Sequence, residues 1–152
     1  MKLLRAIEEV AELLPIIFPV HPRTKKNLKK SGLLRALANE PNVIMTRPLG
    51  YRESLSLLID SKAVITDSGG LQEESSALKI PCLTLRMNTE RPVTIEKGTN
   101  TLIKGDWKLY QRCINRICKK SYMHKCSEIL YWDGRTAGRI LRIITNKLKK
   151  RA

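Results

Sequence analysis

Five short apolar runs, each separated from the next by a helix-sized segment, limit the possible folds of this chain more than any other feature. The runs begin near residues 15, 42, 63, 81 and 100. Their β-branched residues, and the proline or glycine close to them, favour strands over helices. Strands that alternate with helices usually form parallel sheets, because parallel neighbours are joined by crossovers that carry a helix. The sequence therefore predicts an α/β fold, a parallel sheet with helices on both faces.

The length of 152 residues fits a single domain, so we expect residues 1–152 to share one core. No apolar run approaches the roughly 20 residues that span a bilayer. Glu8 and Glu9 stand where a signal peptide would be apolar. We therefore expect a cytoplasmic protein with no membrane contact.

The formal charge of +15 is concentrated in the last third of the chain. Residues 1–103 hold 15 basic and 11 acidic side chains, whereas residues 104–152 hold 14 basic and 3 acidic ones. A basic stripe binds nucleic acid in some proteins, but no nucleic-acid motif accompanies this one. We expect two helices, near 106–120 and 135–150, with a solvated basic face and no nucleic-acid binding. Apolar residues spaced to bury the other side of each helix are Ile114, Ile117, Ile140, Leu141, Ile143 and Ile144.

The four cysteines give two readings. Cys113, Cys118 and Cys126, with His124, are a conceivable zinc set, but no C-x-x-C pair is present. Reduced and mostly packed thiols fit a cytosolic protein better. We predict no metal site and no cofactor.

The third apolar run leads into the turn Asp67-Ser68-Gly69-Gly70 and then into an acid-rich helix start. Ser68 or Asp67 is expected to cap that helix, and glycines let a ligand approach the backbone amides. Such a helix N-terminus binds anions, although ordinary turns have the same composition. Glu73 and Glu74 would repel a phosphate unless they pointed elsewhere, and a carboxylate one turn further on suits ribose hydroxyls. The turn thus fits a nucleotide better than a bare phosphate.

The carboxyl ends of parallel strands meet at one edge of a sheet, where open α/β folds bind ligands. We therefore expect His21, the loop 48–51, the turn 68–70 and residues 90–91 to be neighbours. A lone histidine such as His21 is also common as a hydrogen-bonded structural residue. After it, Thr24 is expected to cap a basic helix that reaches about Asn39, with Gly32 as a candidate break.

Several motifs, taken in order, resemble the non-hydrolysing UDP-N-acetylglucosamine 2-epimerase family. They are Val20-His21-Pro22-Arg23-Thr24, Thr66 to Glu74, Leu85-Arg86, Thr89-Glu90-Arg91-Pro92, Glu96 to Asn100 and Asp133 to Ala137. The match covers nearly the whole chain, but it is a match to the C-terminal half of the family. The resemblance implies a Rossmann-like domain equivalent to the C-terminal domain of a two-domain GT-B fold.

The resemblance also implies chemistry. The family interconverts UDP-GlcNAc and UDP-ManNAc for cell-surface polysaccharides, by loss of the C2 proton and of UDP followed by their return. The C-terminal domain mainly holds UDP. Carried over by position, Ser68, Gly69 and Gly70 would meet the diphosphate, Glu74 the ribose and Arg91 the nucleotide-side polar network, with His21 near the phosphates.

Two departures from the family concern the base and the proton transfer. Ser54 stands where the family often has an aromatic residue near the uracil, so base contacts are expected from the backbone around Pro48 to Tyr51. The family's acid/base carboxylates lie in its N-terminal domain, so no catalytic residue is assigned here. We expect a fragment or split subunit that is inactive alone, with a UDP-sugar ligand and either a separate N-terminal chain or a second copy as partner. The alternative is a non-catalytic nucleotide-sugar-binding module or a glycosyltransferase C-terminal domain.

Overall fold

The computed structural model describes residues 2–122 and 127–149, which form two compact units. The first unit comprises residues 2–61 and 111–122, and the second comprises residues 62–110 and 127–149. The prediction of one domain over residues 1–152 stays a prediction. None of the helices in the described ranges is long and apolar enough to cross a membrane.

The first unit pairs two strands in parallel. Strand β1 (Ile16–Pro19) pairs with β2 (Val43–Thr46), with Ile16 opposite Val43 and Pro19 opposite Thr46. Its helices are α1 (Lys2–Ala11), α2 (Pro22–Lys30), α3 (Leu33–Asn39), α4 (Tyr51–Ile59) and the greater part of α7 (Trp107–Cys118). The apolar core is the cluster Val20, Leu28 and Leu37, against which Leu4, Ile7, Phe18, Leu33, Leu34 and Met45 pack.

The second unit holds the other three strands, in the order β3-β4-β5 and all parallel. They are β3 (Val64–Thr66), β4 (Cys82–Thr84) and β5 (Asn100–Leu102). Helices α5 (Gly69–Ala77) and α6 (Pro92–Glu96) follow β3 and β4, and α8 (Thr136–Lys149) closes the unit. Every residue of β4 is buried, as expected for a central strand.

The α/β class with parallel strands is confirmed, and all five predicted strands are present. The helix predicted from Thr24 to about Asn39 is broken at Gly32, whose φ of 71° lies in the left-handed region that glycine adopts without strain. The predicted cap at Thr24 was wrong. Helix α2 begins at Pro22, a residue favoured at the first helical position, and the His21 side chain caps it.

The two C-terminal helices differ in burial. Ile114 and Ile117 of α7 are buried, as predicted, at 6% exposure each. For α8 the prediction of a buried side was wrong, because its apolar residues are 50–68% exposed and none of its residues is buried. The spacing of Ile140, Leu141, Ile143 and Ile144 produces an amphipathic helix, but an apolar face is buried only where another element packs against it.

Candidate functional site

The second unit presents an uncapped helix start directly after β3. Ser68 is the N-cap of α5 with extended backbone angles, φ −82° and ψ 129°, but its side chain makes no capping hydrogen bond. Its backbone N–H instead donates to Thr66 Oγ1 at 3.0 Å. The first amides of a helix have no intrahelical partner, and here Gly69 and Gly70 carry no Cβ over them. The predicted position of Ser68 is confirmed, whereas its predicted cap bond is absent.

Arg91 lies beside this helix start. A Cβ placed on Gly69 would be 3.9 Å from Arg91 Nε, which is an ordinary contact distance. Arg91 Nε lies 2.8 Å from Glu73 Oε1, a close ionic contact without the direction of a linear hydrogen bond. The other end of the guanidinium donates from Nη1 to the backbone carbonyl of Glu90 at 3.2 Å. Glu73, which the sequence presented as a carboxylate repelling phosphate, is therefore paired with a cation.

The backbone of Arg91 is held at both of its polar groups. Its N–H donates to Thr89 Oγ1 at 3.0 Å, and its carbonyl accepts from Thr94 Oγ1 at 2.7 Å. The Thr89 hydroxyl donates in turn to Gln72 Oε1 at 2.6 Å. Asn100 Nδ2 donates to Gln72 Oε1 and to Thr94 Oγ1, at 3.0 Å each. A polar network therefore runs from α5 to the loop that carries Arg91.

This network is buried, which sequence patterns did not reveal. Gln72, Thr84 and Thr94 have no solvent exposure, and Thr84 Oγ1 donates to Asn100 Oδ1 at 2.6 Å. Gln72 Nε2 has no acceptor within residues 2–122 and 127–149, a cost of about 1–3 kcal/mol for a buried donor. The sequence contained one indication of this network, the polar residues Gln72 and Asn100 close to apolar strand segments. The hydrogen-bond partners of Gln72 lie 17–28 residues away in sequence, so local patterns could not identify them.

Gly98 lets the segment before β5 approach α5 and α6 closely next to the network. A Cβ at Gly98 would lie 2.7 Å from the carbonyl oxygen of Thr94 and equally close to Ser76 Cβ. Real side chains do not make such short contacts, so glycine is required here. The Gly98 of the Glu96 to Asn100 motif therefore has a packing role next to the site.

Glu74 is half-buried on α5. It lies four residues after Gly70, and positions four apart share one face of a helix. Ser68, Gly69, Gly70 and Arg91 lie close together within the second unit, and Glu74 is one helical turn beyond Gly70. Their contacts within the described residues suit the binding of an anion and of hydroxyl groups, and none of these contacts assigns a proton transfer at a carbon atom.

His21 belongs to the first unit, where it is exposed and caps α2. Its Nδ1 accepts from the backbone N–H of Arg23 at 3.3 Å, so it has the structural role that its isolation in sequence suggested. In the loop after β2, the N–H of Gly50 donates to Glu53 Oε2 at 2.9 Å. A cavity of about 390 Å³ opens in this unit; it is lined by Val20, Pro22, Lys25, Leu34, Met45, Thr46, Arg47 and Pro48.

The thiols within the described residues are free and largely packed. Burial raises the pKa of the Cys82 thiol and that of the Cys113 thiol, so neither is disposed to act as a thiolate nucleophile. Cys118 is half-buried. His124 and Cys126, two members of the zinc hypothesis, lie outside the described residues. Within the described ranges no group of three or more His, Cys, Asp or Glu side chains is arranged to hold a metal.

Comparison with known proteins gives consistent matches. The family model for UDP-N-acetylglucosamine 2-epimerase matches residues 1–145. The UDP-N-acetylglucosamine 2-epimerase of Methanocaldococcus jannaschii is 40% identical over 130 residues, which are 86% of this chain and 35% of that protein. The Methanococcus maripaludis enzyme of the same name is 44% identical over 106 residues, 70% of this chain and 29% of that protein.

A solved structure matches as well. The M. jannaschii UDP-GlcNAc 2-epimerase in complex with UDP-GlcNAc and UDP superposes with a TM-score of 0.80 and 37% identity, over 95% of this chain and 40% of that one. The chain spans about a third of the length of the curated relatives it matches. With the parallel strands, the glycine pair at α5 and the Thr89 to Pro92 segment in place, the chain belongs to the UDP-N-acetylglucosamine 2-epimerase family.

Proposed function

We propose that this chain is the C-terminal UDP-binding domain of a UDP-N-acetylglucosamine 2-epimerase, a single domain over residues 1–152. It works in the cytoplasm as part of a larger catalytic unit, either as a fragment or as one subunit of a split enzyme. The observation that carries the proposal is the uncapped start of α5 with Arg91 beside it, in a chain of this family. The reaction it serves is the interconversion of UDP-GlcNAc and UDP-ManNAc for surface polysaccharides.

The diphosphate binds at the start of α5 in this proposal. The amides of Gly69 and Gly70 point out of the helix, and the helix dipole places partial positive charge at the same end. Ser68 adds a hydroxyl that no capping bond occupies. Arg91 adds a full positive charge next to Gly69, and its ion pair with Glu73 fixes the guanidinium while leaving 40% of the side chain exposed. These groups together suit two phosphates.

Glu74 binds the ribose in this proposal. Its carboxylate lies one helical turn beyond Gly70, on the same face, and a carboxylate accepts two hydroxyl hydrogen bonds. The two acidic residues of the motif therefore have different roles in this proposal. Glu73 holds Arg91, whereas Glu74 is left for the sugar of the nucleotide.

The base contacts in this proposal come from the backbone around Pro48 to Tyr51, as the resemblance implies. The cavity of about 390 Å³ includes Pro48 in its lining and so adjoins this loop. Because Ser54 replaces the aromatic residue that the family often has near the uracil, the contacts to the base are expected from the backbone. The resemblance assigns His21 to the phosphates, and in this role it donates through Nε2, because Nδ1 accepts the cap bond and the ring proton is therefore on Nε2.

The chemistry itself requires groups beyond these. Epimerisation removes a proton from C2 and expels UDP, and the proton must be taken by a base within hydrogen-bond reach. The resemblance assigns the acid/base carboxylates to the N-terminal domain of the family. This chain therefore binds UDP and stabilises its departure, while the partner domain moves the proton. Candidate partners are a separate N-terminal chain and a second copy of this chain.

The ribose assignment is tested by Glu74→Ala. Losing a hydrogen bond to a charged group costs about 1.5–3 kcal/mol, so the dissociation constant for UDP in calorimetry should rise about tenfold or more. Glu96→Ala, an exposed glutamate at the end of α6, is the matched control and should bind UDP as the unaltered chain does. Equal UDP affinity in Glu74→Ala and the unaltered chain would remove Glu74 from the site.

The catalytic assignment is tested in deuterated water. The purified chain is incubated with UDP-GlcNAc, and NMR follows deuterium at C2 and the appearance of the manno epimer. We expect no turnover by the chain alone and turnover once an N-terminal half is added. Turnover by the chain alone would locate acid/base residues in it, and absence of turnover in both cases would favour the non-catalytic binding module.

A further inference from the structure

We infer that the side-chain amide oxygen of Gln72 is the positioning group that holds Arg91 at the start of α5. Gln72 is fully buried and has no access to a ligand, so its effect on binding passes through Arg91. The consequence for UDP rests on the proposed function, whereas the effect on Arg91 does not.

Gln72 Oε1 is linked by hydrogen bonds, through intervening side chains, to both the N–H and the carbonyl of Arg91. Thr89 Oγ1, which accepts from the Arg91 N–H, donates to Gln72 Oε1 at 2.6 Å. Thr94 Oγ1, which donates to the Arg91 carbonyl, accepts from Asn100 Nδ2, and that amide also donates to Gln72 Oε1. Fixing the N–H and the carbonyl of one residue fixes the direction in which its side chain leaves the backbone.

Gln72 lies on the same helix that carries the candidate phosphate amides. Its neighbour Glu73 contacts the Arg91 guanidinium, so two successive residues of α5 hold the arginine by its backbone and by its side chain. The position of the guanidinium relative to the Gly69 amide is therefore set by contacts to the helix that carries that amide. An anion that contacts both the Gly69 amide and the guanidinium meets two groups that are already positioned, so less conformational entropy is lost on binding.

The amide at this position does not serve packing alone. Gln72 Nε2 has no acceptor within the described residues, and an apolar side chain of similar length would fill the same space without an unpaired donor. What an apolar side chain lacks is the acceptor for Thr89 and Asn100. The role of Gln72 Oε1 as a hydrogen-bond acceptor therefore explains why an amide side chain lies at a position where burial alone would favour methionine.

The test compares Gln72→Met with Ser75→Ala. Methionine keeps the length of the side chain but removes the acceptor. Ser75 is a buried residue of the same helix whose hydroxyl bonds to the Gln72 backbone carbonyl and to the Cys82 side chain on β4, away from the acceptor Oε1. Thermal melting reports the stability of each variant. Hydrogen exchange by NMR then reports the Arg91 amide in the absence of any nucleotide.

We expect hydrogen exchange of the Arg91 amide to become about tenfold faster or more in Gln72→Met. The reason is that the Thr89 hydroxyl, which accepts the hydrogen bond of this amide, is no longer fixed by Gln72. UDP affinity should fall about fivefold, the value of one neutral hydrogen bond. Ser75→Ala should change the exchange rate of the Arg91 amide and the UDP affinity no more than its change in melting temperature accounts for. An Arg91 amide that exchanges in Gln72→Met as slowly as in the unaltered chain would overturn the inference.

A double-mutant cycle separates positioning from general loosening of the fold. Arg91→Ala should weaken UDP binding about tenfold in the unaltered chain but less than about threefold in Gln72→Met, because the arginine is already misplaced there. Fully additive losses would show that Gln72 acts independently of Arg91, contrary to the inference. If the unaltered chain fails to bind UDP, the proposed function fails, and the exchange experiment still decides the role of Gln72.

Discussion

Helices α2 and α5 both begin where a parallel strand ends, but their first turns are completed in different ways. At α2 the His21 side chain accepts the Arg23 amide and Pro22 removes one donor altogether. At α5 the cap residue Ser68 offers no side-chain bond, and two glycines follow it. The α2 turn satisfies the Arg23 amide with its own cap residue, whereas no side chain caps the α5 turn. The composition of a strand-to-helix turn therefore indicates whether it is closed by the chain or open to an anion.

The two helices also differ in what anchors them. Helix α2 places Leu28 in an apolar cluster with Val20 and Leu37. Helix α5 buries Gln72, Ser75 and Ser76, all polar, and the Ser76 hydroxyl accepts from the Thr99 N–H at 3.3 Å. Polar anchoring has definite geometry, because each hydrogen bond specifies a direction as well as a distance. This suits the helix at which the diphosphate is proposed to bind.

The largest effect is expected from making the α5 turn resemble the α2 turn. Gly69→Pro places proline at the first helical position, where it is tolerated, and removes one amide proposed to face the diphosphate. Ser68 already has the extended conformation that a following proline requires. UDP affinity measured by calorimetry should fall tenfold to about a hundredfold, the value of one hydrogen bond to a charged group.

Gly69→Ala is the control for that change. It keeps the N–H, and its Cβ would meet Arg91 at 3.9 Å without a clash. The alanine variant should bind UDP within about threefold of the unaltered chain, since no hydrogen bond is lost. If the proline variant binds as tightly as the alanine variant, the amide of residue 69 does not contact the ligand.

A smaller effect is expected at the α2 turn. Asparagine is among the best N-cap residues, so His21→Asn should melt at the same temperature as the unaltered chain or above it. UDP affinity should nevertheless fall a few fold, because the imidazole proposed to lie near the phosphates is lost. His21→Ala, which lacks the cap as well, should be less stable by about 0.5–1 kcal/mol. An unchanged UDP affinity in His21→Asn would leave His21 with its capping role alone.

The start of α8 provides a third helix turn, closed by a carboxylate, and its expected effect is the smallest. Asp133 pairs with the Arg139 guanidinium and accepts the Arg135 N–H at 3.1 Å, and these contacts lower its pKa from 3.8 to about 2. A lowered folded-state pKa means that folding favours the charged form. The stabilisation is therefore complete above pH 3.8 and is lost as the pH falls through about 2.

This pH dependence is measurable at the residue itself. The carboxyl carbon of Asp133 should titrate near pH 2 in NMR, and in Arg139→Gln it should titrate closer to 3.8. The helical signal of the unaltered chain should persist to lower pH than that of Asp133→Asn. A midpoint near 3.8 in the unaltered chain would contradict the pairing.

The sequence predicted the strands, the break at Gly32 and the glycine turn, because these depend on local composition. It did not predict the capping of α2 by His21, since histidine is not a usual cap residue. It also missed the network around Gln72, whose partners Thr89 and Asn100 lie far away in the chain. The face of α8 was predicted to be buried because periodicity reports an apolar side but not its covering.

The ion pair of Arg91 and Glu73 illustrates the same limit. The motif placed two acids after a candidate phosphate site, and charge alone indicated repulsion. The fold brings Arg91 from eighteen positions later to within 2.8 Å of Glu73, which changes the sign of the local interaction. Charge near a motif is thus interpretable only after residues distant in sequence are placed.

The exposed face of α8 bears on how the protein behaves in solution. Five apolar side chains, Ile140, Leu141, Ile143, Ile144 and Leu148, are at least half exposed on a molecule whose formal charge is +15. At low ionic strength like-charge repulsion keeps such molecules apart, but the screening length shortens from about 30 Å at 0.01 M to about 3 Å at 1 M salt. Solubility should therefore decrease as salt is added, and dilute low-salt buffer is the condition in which the chain stays monodisperse.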